Sequence, residues 1–247
     1  MTTVMTLLLA ALAGAGITLA VAPFDWWVFS LLSPAVLFAL LATQPLRRGL
    51  LAAYVYGVCY FGVGAHWIYH AVGQYGAGPL AAVVFCVVLA ALLGLLTLLM
   101  ALVWYGLLRT GRPAVDLWLG LPAVWWLLEW VRSWLFTGTT WLQLGYAHVD
   151  SALGGWAPVI GAQGLGFLLA ALAGGLAWMV LQPGLRRAVP ALGLLAAFWG
   201  SGLLLLQQEW TEPAGPALDI ALLQGNVAQD DKWRNETADA QIQRYLR

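Results

Sequence analysis

Residues 129–160 read EWVRSWLFTGTTWLQLGYAHVDSALGGWAPVI. The stretch opens with a carboxylate and a guanidinium, Glu129 and Arg132, inside an otherwise apolar run. It then passes into a connection rich in Gly, Thr, Trp and Tyr, and returns to an apolar helical pattern at Trp156. On either side, as far as Leu206, the chain is a succession of apolar segments. A membrane protein places costly polar groups and non-helical backbone where function or bundle packing requires them. The reading of this stretch therefore governs the rest.

The surrounding composition names the solvent. Of 247 residues, 62% are hydrophobic and 9% charged, with 15 Trp, and the mean hydropathy is +0.82. A soluble domain is nearer to about 25% charged, so this much apolar surface calls for a bilayer. The formal net charge is zero, which gives no footing to a nucleic-acid partner. Charge is unevenly spread: residues 1–208 carry 11 charged side chains, and the 39 residues after them carry another 11. That change of density marks a domain boundary near Gln208. Cys59 and Cys86 sit inside apolar runs and read as small buried hydrophobes.

A helical span needs roughly 20 mostly apolar residues. Candidates lie at about 4–22, 26–43, 50–72, 79–108, 115–136, 156–181 and 188–207, with a kink expected at Pro34. The expected fold is thus an all-α polytopic membrane bundle of about seven spans. Arginine gives its orientation. Arg47 and Arg48, Arg109 and Arg112, and Arg186 and Arg187 fall in alternate connections, whereas 23–25, 73–78 and 137–155 hold no Lys or Arg. The N-terminus is then cytoplasmic and residues after 208 emerge on the far side, with Trp26, Trp27, Trp67, Trp141, Trp156 and Trp210 near the outer interface. Ala20-Val21-Ala22 resembles a signal-peptidase site, but no basic residue precedes the apolar run. Beyond Pro213 and Pro216 the pattern changes. Residues 218–223 read as a strand, 224–226 as a turn, and Ala238, Ile242, Tyr245 and Leu246 recur at helical spacing. Such a short piece cannot bury a core alone, so an α/β domain begun but truncated is expected.

Chemistry concentrates in few places. Glu129 and Arg132 stand three apart on one helical face and can pair; pairing or facing the bundle interior relieves their cost, as a structural clasp that holds the fifth span to its neighbours or as part of a lipid-headgroup site at the outer surface. Each charge alone at a bilayer centre costs about 3 kcal/mol. Within 137–155, Gly138 and Gly145 permit close backbone approach, and Trp141 and Tyr146 are amphipathic anchors. A re-entrant or interfacial segment lining a lipid-accessible cavity is expected there. His66 and His70 are i, i+4, with only His148 to join them from afar; interfacial histidines are a better reading than a metal site. Asn235-Glu236-Thr237 matches a weak glycosylation sequon, and Trp233, between Lys232 and Arg234, reads equally as an exposed aromatic of the outer domain or as a substrate contact. No Ser-His-Asp set, phosphate loop or metal cluster can be assembled.

Four blocks resemble a known family. They are Ala22-Pro23-Phe24-Asp25-Trp26; Gly62-Val63-Gly64-Ala65-His66-Trp67-Ile68-Tyr69; Glu129-Trp130-Val131-Arg132 with Leu135 to Tyr146; and Leu223-Gln224-Gly225-Asn226 with Lys232-Trp233. Together they resemble apolipoprotein N-acyltransferase of the bacterial inner membrane. Thr140 stands where that family usually has a Pro. The resemblance implies transfer of an acyl chain from a phospholipid donor to the α-amino group of a diacylglyceryl-cysteine lipoprotein acceptor, without a cofactor. It implies a periplasmic nitrilase-like domain using a Glu, a Lys and a Cys through an acyl-thioester, all expected beyond Arg247. On that basis this chain is expected to hold no catalytic residue and to be silent alone. Trp233 and Gly138 match functionally important family positions. Two other classes compete: a non-catalytic membrane anchor or lipid-binding module, and the acyltransferase-like half of a fused polyprenyl-phosphate mannosyl enzyme.

Overall fold

The apolar runs fold as helices, each ended by an identifiable break. The structure, a computed structural model, describes residues 1–74, 78–228, 231–232 and 234–245, without the side chains of Phe136, Arg186, Arg187 and Asn235. Helix α1 (Thr3–Gly16) starts where the Thr2 hydroxyl accepts from the Met5 N–H, and runs on as a 3-10 turn, Ile17–Ala20. Then come α2 (Phe29–Thr43), α3 (Leu46–Gly64), the single turn α4 (Ile68–Val72) and α5 (Gly78–Val103), which is prolonged by a π turn at Trp104–Leu108. Helices α6 (Pro113–Val115) and α7 (Leu121–Arg132) are joined by a second π turn, Asp116–Gly120. Three 3-10 turns follow at Leu135–Thr137, Leu144–His148 and Ala152–Trp156. The bundle closes with α8 (Ala157–Leu181) and α9 (Leu185–Leu205).

Among the described residues, five helical stretches are long and apolar enough to cross a membrane: Thr3–Ala20, Gly78–Leu108, Pro113–Arg132, Ala152–Leu181 and Ala188–Leu205. The other two runs are helical but fall short for separate reasons. Helix α2 has 15 residues, about 22 Å at 1.5 Å per residue, against a hydrocarbon core of about 30 Å. Helix α3 has 19 residues but opens on Arg47 and Arg48 and carries three tyrosines, which dilute its hydropathy. Pro34 lies inside α2, which continues through it.

Buried hydroxyls stitch the helices together by donating to backbone carbonyls, as expected where lipid offers no alternative partner. Thr97 Oγ1 donates to Ala53 O at 2.9 Å, and Ser33 Oγ to Ala13 O at 2.7 Å. Tyr105 reaches from the end of α5 to Leu41 O at 2.7 Å. The centre of the bundle is aromatic. The ring of Trp125 on α7 lies 6.0 Å from Phe38, 6.2 Å from Tyr56 and 6.3 Å from Tyr60. This stack ties α2, α3 and α7 together directly beneath the 133–156 connection.

The chain divides into two units, Met1–Gln208 and Glu209–Arg247. In the second, residues 218–223 form no strand among the described residues. The sequence has the right alternation, yet a strand exists only with a ladder partner. Leu218, Ile220 and Leu222 are 80%, 75% and 92% exposed, so nothing receives them. The expected helix is present as α10 (Ala238–Tyr245), preceded by a 3-10 turn at Asn235–Thr237. Arg244 and Tyr245 of α10 bond the backbone of Gly225.

Candidate functional site

Three buried side chains hold the backbone of one segment of the 133–156 connection. Glu129 and Arg132, in the last turn of α7, are 2% and 4% exposed. Of the two arrangements the spacing allows, they face the bundle interior: no ion pair within 4.0 Å joins them. Each reaches the connection instead. Glu129 Oε1 accepts from Leu144 N at 2.8 Å and from the indole N–H of Trp125 at 3.1 Å. Arg132 donates to Trp141 O at 2.7 Å, and its guanidinium lies 5.3 Å from the Phe61 ring centroid. From α3, the Tyr60 hydroxyl donates to Leu142 O. The physical reason is economy. A loop that folds back into an apolar bundle exposes backbone groups that water cannot satisfy, and charged side chains satisfy them more strongly than neutral ones.

The segment's own geometry fits this hold. Thr139 N–H bonds Arg132 O at 2.7 Å, closing the turn that follows α7. Gly138 has φ +85°, and a Cβ there would run into the Ser133 carbonyl, so only glycine fits. Thr137 and Leu142 also hold positive φ, 76° and 61°, a cost accepted where surrounding contacts fix the backbone. While the backbone is gripped, Gln143 and Leu144 turn inward and Trp141 faces out. Trp141 is 55% exposed and packs edge-on against Trp67 with centroids 4.8 Å apart.

Tyr146 belongs to a neighbouring feature. It lines a cavity of about 380 Å³ with Asp25, Trp27, Asp150 and Ser151. Beneath that cavity His148 is fully buried, its ring nitrogens 2.9 Å from Ser30 Oγ and 2.7 Å from Ser151 Oγ. The rings of Trp27 and Trp199 flank it at 5.9 and 5.7 Å. Burial in this aromatic box pushes the imidazole down to about 4. His148 is thus a tie between α2, the connection and α9 rather than a partner of His66, whose ring nitrogen faces Val63 O.

Of the six sequence candidates, Glu129, Arg132 and Trp141 are brought together, and Gly138 begins the segment they hold. Tyr146 sits at the adjacent cavity, and Trp233 lies outside the described residues. Sequence reasoning missed Tyr60, which looks like any aromatic of an apolar helix, and Gly166 of α8. The only available signal for Gly166 was its place in a glycine-rich run. A Cβ at Gly166 would fall 2.8 Å from Glu129 Oε2, which is buried and has no hydrogen-bond partner.

Comparison with known proteins gives this geometry a family. Residues 13–175 match the model described as the apolipoprotein N-acyltransferase N-terminal domain. The chain belongs to that family. Relatives named apolipoprotein N-acyltransferase include that of Azotobacter vinelandii, 41% identical over 244 residues, covering 96% of this chain and 46% of the relative. That of Methylococcus capsulatus is 37% identical over 244 residues, covering 97% and 47%. That of Pseudomonas putida is 39% identical over 240 residues, covering 96% and 48%. The chain spans about half the length of the curated relatives it matches. The matched region 13–175 contains the whole gripped segment and every side chain that holds it.

Proposed function

We propose that these residues form the membrane half of an acyltransferase that moves an acyl chain from a phospholipid to the N-terminal diacylglyceryl-cysteine of lipoproteins. On this reading the seven apolar runs all cross the inner membrane, with the bilayer thinned locally to meet the short α2. The N-terminus is cytoplasmic. Residues after 208 are periplasmic and begin a nitrilase-like domain whose Glu, Lys and Cys lie beyond Arg247. The observation that carries the reading is the gripped segment. In a chain of this family, at a connection free of Lys and Arg, backbone is fixed from inside while Trp141 and Tyr146 stay exposed. Fixed backbone with free amphipathic rings is the arrangement of a preorganised contact for lipid at an interface.

The division of labour follows from the physics of the two substrates. Both acyl donor and acceptor are anchored by hydrocarbon chains, so a catalytic centre in water reaches neither without a surface that receives them at the membrane edge. Trp67 and Trp141 offer apolar ring area there, and Tyr146, Asp25 and Asp150 offer polar partners at the adjoining cavity. Glycine at 138 keeps the segment close to α7. A thiolate attacking the donor ester would take up the acyl group and release the lyso-lipid. The acceptor amine would then displace the thiolate. None of those reacting groups is assigned to a residue of this chain.

The test uses the full-length protein in proteoliposomes, with a radiolabelled phospholipid and a diacylglyceryl peptide. Label is expected on the peptide amine, and Trp141→Ala is expected to raise the KM for the phospholipid several-fold. Absence of transfer by the wild type overturns the reading. Reporter fusions after residues 46, 110, 184 and 208 check the topology, and a cytosolic signal from the last of these contradicts it.

A further inference from the structure

Three successive points of the 141–144 backbone are each taken by a different buried side chain. Trp141 O is held by Arg132 from α7, Leu142 O by Tyr60 from α3, and Leu144 N by Glu129. Two of the three come from the last turn of one helix, but Tyr60 lies 82 residues away from the group it holds. Its ring is fixed in turn, stacked 4.5 Å from Phe61 and 6.3 Å from Trp125. Glu129 is fixed by Trp125 and by the floor that Gly166 provides. Trp125 therefore supports two of the holding groups, and Phe61 supports Tyr60 and Arg132. The arrangement is one connected frame rather than three separate bonds.

We infer that Tyr60 and Gly166 are positioning residues for lipid capture: they preset the Trp141 ring by locking the 141–144 backbone, without touching lipid. This rests on the function proposed above. It assigns to α3 and α8 a share of a site that the exposed residues alone do not contain. Tyr60 acts through Leu142, next to Trp141 in the chain. Gly166 acts through Glu129: a Cβ there would fall 2.8 Å from the unbonded Oε2, so the carboxylate whose Oε1 holds Leu144 N must shift. Neither residue has a reason to affect the chemical step.

The experiment compares wild type, Tyr60→Phe and Gly166→Ala of the full-length protein in proteoliposomes. Donor KM and kcat are measured, with hydrogen exchange of the 137–146 peptide. Tyr60→Phe removes one hydroxyl and keeps the stacked ring, so the bundle should remain intact. The expected result for both variants is exchange faster by about tenfold or more in that peptide, donor KM raised about three- to tenfold, and kcat within about twofold of wild type. Unchanged exchange overturns the frame. Faster exchange with unchanged KM overturns its role in lipid capture. A fall in kcat with KM unchanged does the same, since it points to the reacting groups. If the wild type transfers nothing, the functional reading fails and the claim of lipid capture falls with it, while exchange still decides whether Tyr60 and Gly166 lock the backbone.

Discussion

The helical stretch Pro113–Arg132 has a connection at each end, and the two are closed in opposite ways. At its start, the Asp116 carboxylate takes Thr110 N at 2.7 Å, Thr110 Oγ1 at 2.8 Å and Gly111 N at 3.1 Å. Every partner lies five or six residues away. At its end, the 141–144 segment is held from positions 9, 15 and 82 residues distant. Asp116 closes a turn that its own local sequence could close, and neighbouring water can share the work. The far connection is closed only when α3, α7 and α8 are already packed. A locally closed turn is a way of stopping a helix; a globally closed one is a way of placing particular side chains. On the function proposed above, the contrast singles out the end of this helix that would receive lipid.

The sharpest way to break the comparison is Gly138→Ala. The positive φ and the Ser133 carbonyl leave no room for a methyl group, so the segment must leave its frame. A loss of about 2–4 kcal/mol is expected from forced backbone strain of this kind. It is read as a lowered denaturation midpoint of the detergent-solubilised full-length protein, with protection lost in 137–146 and kept near 110–116. Equal loss of protection at both ends would erase the distinction.

Glu129→Ala comes next. It leaves Leu144 N–H and the Trp125 indole without their shared acceptor inside the bundle, at about 2–3 kcal/mol. Glu129→Gln keeps an acceptor oxygen and should cost only about 1 kcal/mol. Chemical denaturation of the two variants should therefore separate them clearly. If Gln is as damaging as Ala, it is charge rather than the accepted hydrogen bonds that matters at this position.

His148 extends the contrast to pH, since it lies in the 144–148 turn outside the spanning stretches and joins three elements at once. Its folded value of about 4 lies below the ordinary 6.5 of an imidazole because burial disfavours the charged form. The unfolded chain therefore binds the proton first. Stability is whole above about pH 6.5, falls as pH drops toward 4, and stops changing from this source below that. The loss has a ceiling of about 3 kcal/mol. Denaturation midpoints measured between pH 7 and 4 should show the slope in wild type and a flatter profile in His148→Asn, which keeps polar groups toward Ser30 and Ser151. Parallel profiles would remove His148 as the source.

How much of this was legible in the sequence follows the same local–global line. Most apolar runs announced their helices to within a few residues, because lipid leaves the backbone no other spanning form, but the run 50–72 breaks between Gly64 and Ile68. Glu129, Arg132, Gly138 and Trp141 stood out because charge, glycine and tryptophan are conspicuous there. Their arrangement did not. The i, i+3 rule pairs Glu129 with Arg132 in an isolated helix, whereas the folded chain offers each a backbone group that nothing else can satisfy. Tyr60 and Gly166 were invisible for a related reason, since their roles depend on neighbours distant in sequence. The 218–223 run shows the converse: a strand pattern is only half of a strand.

Asp116→Ala is the smallest and most discriminating change. Three donors lose their acceptor, but Thr110 and Gly111 are exposed and water can replace it, so the expected cost is about 1 kcal/mol. Exchange should quicken at 110–111 alone. Phospholipid KM should not move, because nothing in this turn reaches the 141–144 segment. A rise in KM here would mean that the two ends of the helix are coupled through Pro113–Arg132. The local turn would then belong to the lipid site after all, and sequence distance would be a poor guide to function in this bundle.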